Sequence, residues 1–161
     1  MHDDDILAVV DPRGPRRIIG ISMLLALGGL VLYLAFVQPP ANLLWQAFLI
    51  GMGLVSLWFA YRMQEATTRK LFLTETALTD SDGAVLARVE DIVAVHRGAF
   101  AIKPSNGFTL TLKNPAPREW QPGLWWRLGR RVAVGGVTPG SQARPMADII
   151  AVMIARREGK A

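Results

Sequence analysis

Two kinds of hydrophobic pattern divide the chain. From Ile18 to Val37 run twenty consecutive uncharged residues, IIGISMLLALGGLVLYLAFV, and from Leu43 to Tyr61 nineteen more, LLWQAFLIGMGLVSLWFAY, interrupted only by Gln46 and Ser56. Neither run keeps a polar face, as a helix lying on the core of a water-soluble domain would. At a rise of about 1.5 Å per residue, each is long enough to cross the roughly 30 Å hydrocarbon layer of a bilayer. Between them stands QPPAN, where Pro39 and Pro40 end the first helix and turn the chain back. The pattern predicts a hairpin of two transmembrane helices over 18–37 and 43–61. The first run is too long for the apolar part of a signal peptide, and no small-x-small cleavage site follows it, so an uncleaved helix is expected.

After a polar juxtamembrane linker over 62–70, the apolar period changes to alternation. Leu71–Thr74, Ala84–Val89, Ile92–Val95, Ala99–Ile102 and Phe108–Leu112 read as short strands, and Arg131–Val134 as a last one. Turn residues separate them: Asp80-Ser81-Asp82-Gly83, Arg97-Gly98 and Pro104-Ser105-Asn106-Gly107. From Ser141 the pattern becomes helical, with Met146, Ile149, Ile150, Met153 and Ile154 forming one stripe. Ser141 is the expected N-cap, Pro145 suits a first turn, and Arg156, Arg157 and Lys160 suit the negative end of the helix dipole. The spacing fits antiparallel hairpins in a meander or small barrel, with this amphipathic helix closing its open end.

Charge sets the orientation. Arg13, Arg16 and Arg17 precede the first apolar run, and Arg62, Arg69 and Lys70 follow the second, which puts both termini in the cytoplasm by the positive-inside rule. Only 19% of residues are charged and 51% are apolar, against roughly 25% charged in ordinary soluble domains. From Arg62 onward fifteen Lys/Arg face nine Asp/Glu, a net of +6, while residues 1–17 carry −1. A basic domain tethered beneath an anionic leaflet is drawn to it by about 1 kcal/mol per nearby basic residue. That tether argues against nucleic acid as the partner. The absence of cysteine fits a reducing compartment.

The segments LFLTETALTD (Leu71–Asp80), VEDIVAV (Val89–Val95), GFTLTLK (Gly107–Lys113) and RRVAVGGVTPGSQARPMADIIAVMIARR (Arg130–Arg157) resemble the bacterial pleckstrin-homology-like domain. That domain stands behind a hairpin of two hydrophobic helices in many small membrane proteins. The resemblance implies a strongly bent sheet capped by the C-terminal helix, and a binding or scaffolding role in place of catalysis. The expected fold class is therefore membrane-anchored α+β. Residues 1–17 form a cytoplasmic tail, 18–61 a transmembrane hairpin, 62–70 a linker, and 71–161 a PH-like domain, a small antiparallel barrel or bent sheet with its helix.

Asn114–Gly129, NPAPREWQPGLWWRLG, falls outside that pattern. Three prolines and two glycines predict a loop, with one helical turn around Leu124–Leu128. Trp120, Trp125 and Trp126 lie in it, and Arg118, Arg127, Arg130 and Arg131 at its edges. Tryptophan beside arginine is the composition of membrane interfaces and of strong protein contacts. Four readings compete: a tryptophan capping the core amid solvated arginines, docking on the membrane or on the protein's own helices, a partner-protein surface, and stacking on single-stranded nucleic acid. The candidate contact residues are Trp120, Trp125, Trp126, Arg127, Arg130 and Arg131. Within the helices, small residues four apart — Ser22 and Ala26, Ala47 and Gly51, Ser56 and Ala60 — are candidates for close helix packing.

No catalytic constellation is legible. His2-Asp3-Asp4-Asp5 has metal-ligating atoms at an unorganised terminus, and His96 has no partner at ligand spacing. Gly135–Gly140 lacks the Gly-Lys-Ser/Thr ending of a phosphate loop and reads as a turn. No Asp, Glu, Lys, Arg or His interrupts either apolar run, which argues against an ion pathway through this chain alone. The expectation is a non-enzymatic, multi-pass protein of the bacterial inner membrane without cofactor or metal. It would be an accessory, assembly or scaffolding component whose partners are membrane lipids and other integral membrane proteins. No nucleic acid is expected as a partner, and the sequence identifies no small-molecule substrate. Two alternatives stay open: a sensor of anionic headgroups working through the Trp/Arg loop, and an enzyme using Glu90, Asp91 and Glu119.

Overall fold

The computed structural model describes residues 6–97 and 106–159. In chain order, strand β1 (Ile6–Val10) comes first, followed by two long helices, α1 (Pro15–Val37) and α2 (Leu43–Ala66). Strands β2 (Leu71–Thr74), β3 (Ala77–Asp80) and β4 (Val85–Arg88) lead through a single 3-10 turn at Val89–Asp91 to β5 (Ile92–His96). Two long strands, β6 (Phe108–Gln121) and β7 (Trp125–Val134), and helix α3 (Gly140–Arg157) complete the chain. The strand expected at Ala99–Ile102 and the His2–Asp5 cluster lie outside the described residues.

The strands form two antiparallel sheets, β1-β2-β3-β4 and β5-β6-β7, so the expectation of a barrel is corrected: among the described residues no ladder closes the sheets into one. Helix α3 packs on β1 and β5, one edge strand from each sheet. Its buried stripe is Ala143, Met146, Ala147, Ile150 and Ile154, facing Leu71, Leu73, Leu78, Phe108 and Leu110 in one shared core. The Arg157 guanidinium donates to the carbonyls of Val89 (2.9 Å), Glu90 (3.0 Å) and Ile92 (2.6 Å), tying the last turn of α3 to the junction between the sheets. Pro139, not Ser141, is the N-cap of α3, and Pro145 stands inside the helix on its exposed side, a turn beyond the expected place. At the β3–β4 turn the Asp80 carboxylate accepts from the Asp82 and Ala84 amides, and Gly83 supplies the positive φ of 86°.

The residues before α1 are more than a tail. Ile6–Val10 pairs antiparallel with β2, ending on Val10↔Leu71. The helical hairpin is thus inserted between two neighbouring strands of one sheet, and both its ends leave from the same place. An ion pair between Lys70 and Asp11 (3.0 Å) closes that junction. The Arg13 and Arg17 guanidiniums donate to the carbonyls of Thr68 (3.4 Å) and Gln64 (3.3 Å), which lie at the C-terminal end of α2, where cations are favoured. At the far end Asn42 caps α2 through a bond from the Leu44 amide (2.9 Å).

Candidate functional site

The stretch read as a loop is a β-hairpin. β6 and β7 continue past the expected ends at Leu112 and Arg131, pairing through Ala116↔Gly129, Glu119↔Arg127, Trp120↔Trp126 and Gln121↔Trp125. Pro115 and Pro117 have no N–H for a ladder, and the register shifts between Thr111 and Ala116 and again before Glu119 accommodate them. Gly129, at φ 58°, takes up the bend on the opposite strand. The bend is large. Ten residues drawn straight reach about 33 Å, yet Leu124 and Gly135, which flank β7, are hydrogen-bonded to each other (2.9 Å). A Cβ at Gly136 would lie 2.7 Å from the Gly123 carbonyl, so only glycine allows this return.

This geometry divides the six contact candidates. Trp125 is 1% exposed and belongs to the domain core, with its indole N–H lacking a partner. Arg127 lies 5.8 Å from the Trp125 ring centroid and is almost fully used by the fold. It donates to the carbonyls of Pro117 (2.8 Å), Val85 (2.7 Å) and Leu86 (3.2 Å) and to the Glu119 carboxylate (3.0 Å). One side chain thereby fastens β7 to the edge of β4. Arg130 donates to the carbonyls of Leu112 and Lys113 across its own hairpin. As contact residues Trp125 and Arg127 are therefore corrected: they hold the domain together, while Arg130, bonded across the hairpin, stays exposed. Arg131 is exposed, Trp126 half-buried, and Trp120 44% exposed.

Trp120 touches the long helices. Its ring meets Phe59 of α2 edge-on, with centroids 5.6 Å apart, and Phe59 in turn meets Trp58 edge-on at 5.2 Å. The turn at Gly123 rests against Met63 and Thr67, and Val137 faces Gly20 of α1. Two of the four readings are each seen in part: Trp125 fills the core, and Trp120 docks on the protein's own helices. Phe59 was beyond sequence reasoning, since nothing separates it from the other aromatics of its apolar run.

The helix-packing candidates divide as well. Ser56 and Ala60 are buried in the seam between α1 and α2, while Ser22, Ala26, Ala47 and Gly51 are exposed, a correction to the four-residue pairing. The closest approach is at Gly28 and Gly53. A Cβ on Gly28 would meet Leu57 at 2.8 Å and the Gly53 carbonyl at 3.1 Å, and one on Gly53 would meet Leu32 at 2.6 Å. Gln46, the amide in the second run, donates to the Ala35 carbonyl (3.0 Å).

Elsewhere, His96 ends β5 within 3.1 Å of the Thr111 hydroxyl. Among the described residues, no three His, Asp or Glu side chains cluster as a metal site would need. The groove that Glu90 lines, beside Glu75, Arg88 and Arg157, includes neither Asp91 nor Glu119, and Glu119 is paired to Arg127. Asp11 titrates below its ordinary value: partial burial raises it, but the Arg13 amide and the Lys70 ammonium outweigh that by favouring the charged form. No protein-family model matches the chain, and no curated protein or solved structure matches it either.

Proposed function

We propose that this is a non-enzymatic inner-membrane scaffold: a two-helix transmembrane anchor that holds a cytoplasmic, pleckstrin-homology-like binding domain in a set orientation at the bilayer surface, within a larger membrane complex. The observation that carries this reading is the joint. The helical hairpin enters and leaves through paired neighbours of one sheet, Val10↔Leu71, and not through a free linker. The Lys70–Asp11 ion pair and the seat of Trp120 on Phe59 add two further ties. A domain so fastened cannot swing away from its anchor, which suits a fixed platform for other subunits. Supporting the anchor, only 11% and 17% of the apolar windows of α1 and α2 are buried within the protein, whereas a core helix is mostly buried. Two sheets with a C-terminal helix packed on them support the PH-like reading.

The test is copurification. Tagged full-length protein, released from its native membrane with a mild detergent, is expected to elute with a defined set of integral membrane proteins at fixed stoichiometry. Elution as a clean monomer contradicts the scaffold.

A further inference from the structure

The distal half of the β6–β7 hairpin has two faces of unlike character. Residues directly paired across a ladder share a face, and successive residues alternate. Gln121↔Trp125 and Glu119↔Arg127 lie on the inner face, where Trp125 enters the core and Arg127 reaches β4. Trp120↔Trp126 lies on the outer face, and Leu128, two residues on, shares it. Trp120 is 44% and Leu128 56% exposed. A hairpin edge facing water carries polar side chains outward; this one carries two tryptophans and a leucine.

We propose that this outer face is a third membrane contact, seated in lipid at the boundary between acyl chains and headgroups of the cytoplasmic leaflet. The inference rests on the reading of α1 and α2 as transmembrane. Its occupant follows from depth. Phe59 precedes Arg62, the first charged residue after the apolar run, by three residues, or about 4.5 Å along the helix axis. Trp120, edge-on to Phe59, shares that level. Trp58, Phe59 and Trp120 make a continuous row of rings, two from the helix and one from the sheet domain. Tryptophan concentrates at this level because its ring is apolar while its N–H finds acceptors among the headgroups. The exposed surface of Trp120 is thus continuous with the outward surface of α2, and whatever solvates Trp58 solvates Trp120. Arg127 is withdrawn into bonds with backbone carbonyls, so Trp120, Trp126 and Leu128 supply the apolar part of the contact.

The chain has no cysteine, so single labelling sites are clean. Full-length Leu128→Cys, Val55→Cys and Glu90→Cys, each carrying a polarity-sensitive fluorophore, are reconstituted in phosphatidylcholine vesicles. Some vesicles contain lipid brominated close to the headgroup, others lipid brominated near the chain end. Val55 reports on the outer surface of α2, and Glu90 on the far end of α3, where Arg157 binds its carbonyl. The expected result is blue-shifted emission at position 128, quenched several-fold more by the shallow bromines than by the deep ones. Position 55 is quenched too, and position 90 is not. Quenching at 55 with water-like, unquenched emission at 128 overturns the inference and leaves the anchor standing. Absence of quenching at both positions overturns the transmembrane reading, and the inference with it.

Discussion

In the sheet domain the side chains withdrawn from the surface are the large ones: Leu71, Leu73, Phe108, Leu110, Trp125, Met146 and Ile150. Along the helical hairpin they are the small ones, Gly28, Ala35, Gly53, Ser56 and Ala60, while Met23, Phe36, Leu43 and Leu44 point outward. The same chain packs two interiors by opposite rules. Expulsion of apolar surface from water explains the first. It cannot explain the second, because a hairpin in water would turn its leucines inward. Where the surroundings are themselves apolar, helices gain by close backbone approach through small residues, and large side chains lose nothing by facing out. The contrast is the one expected of a molecule packed in two solvents, water and lipid, and it supports the proposed membrane anchor.

The largest expected effect comes from breaking the water-built interior. Trp125→Ala is expected to cost about 3–5 kcal/mol of domain stability, read as a lowered denaturation midpoint. Loss of partner or lipid binding at unchanged stability would return Trp125 to the role of a contact residue. Next is the seam: Gly53→Leu drives a side chain into Leu32 and is expected to cost about 1–3 kcal/mol of helix association. Cross-linking between α1 and α2 in bicelles measures it, and Gly51→Leu, on the exposed face, is the matched control expected to do little. Arg127→Met removes the tie between β7 and β4 from a side chain only 11% exposed, at a cost of about 1–3 kcal/mol in the same denaturation assay.

The smallest effect sharpens the joint between the two regions. Asp11 titrates below its ordinary value in the folded protein, so its contribution is complete above the unfolded pKa of about 4 and is lost as pH falls through the lower folded value. For a partly exposed pair this amounts to less than about 1 kcal/mol. Asp11→Asn should flatten the part of the stability–pH curve that falls as pH drops below about 4. An unchanged acid slope would remove Asp11 from the joint.

The helical hairpin was legible because unbroken apolar length is a signal that needs no partner, and its ends fell within a few residues of the observed helices. β1 was not legible, since Ile6–Val10 pairs with β2 only across the whole helical excursion and no turn signal joins them. The long hairpin was hidden by Pro115, Pro117 and Pro122, which read as loop residues until the register shifts give two of them a place in a strand. Trp120, Trp125 and Trp126 stand out in the sequence by composition. Which of them turns inward depends on pairing, because a shift of one residue exchanges the faces of a strand.

The two-solvent account is tested most directly by single cysteines in vesicles opened to reagent on both sides by freezing and thawing. Leu30→Cys and Val55→Cys occupy the outward faces of α1 and α2, and Val93→Cys an equally exposed site on β5. A charged maleimide should label Val93→Cys rapidly and leave both helix positions unlabelled until detergent and denaturant are added, because thiolate does not form in hydrocarbon. Helix positions that label as fast as Val93→Cys would mean that water, not lipid, surrounds the hairpin.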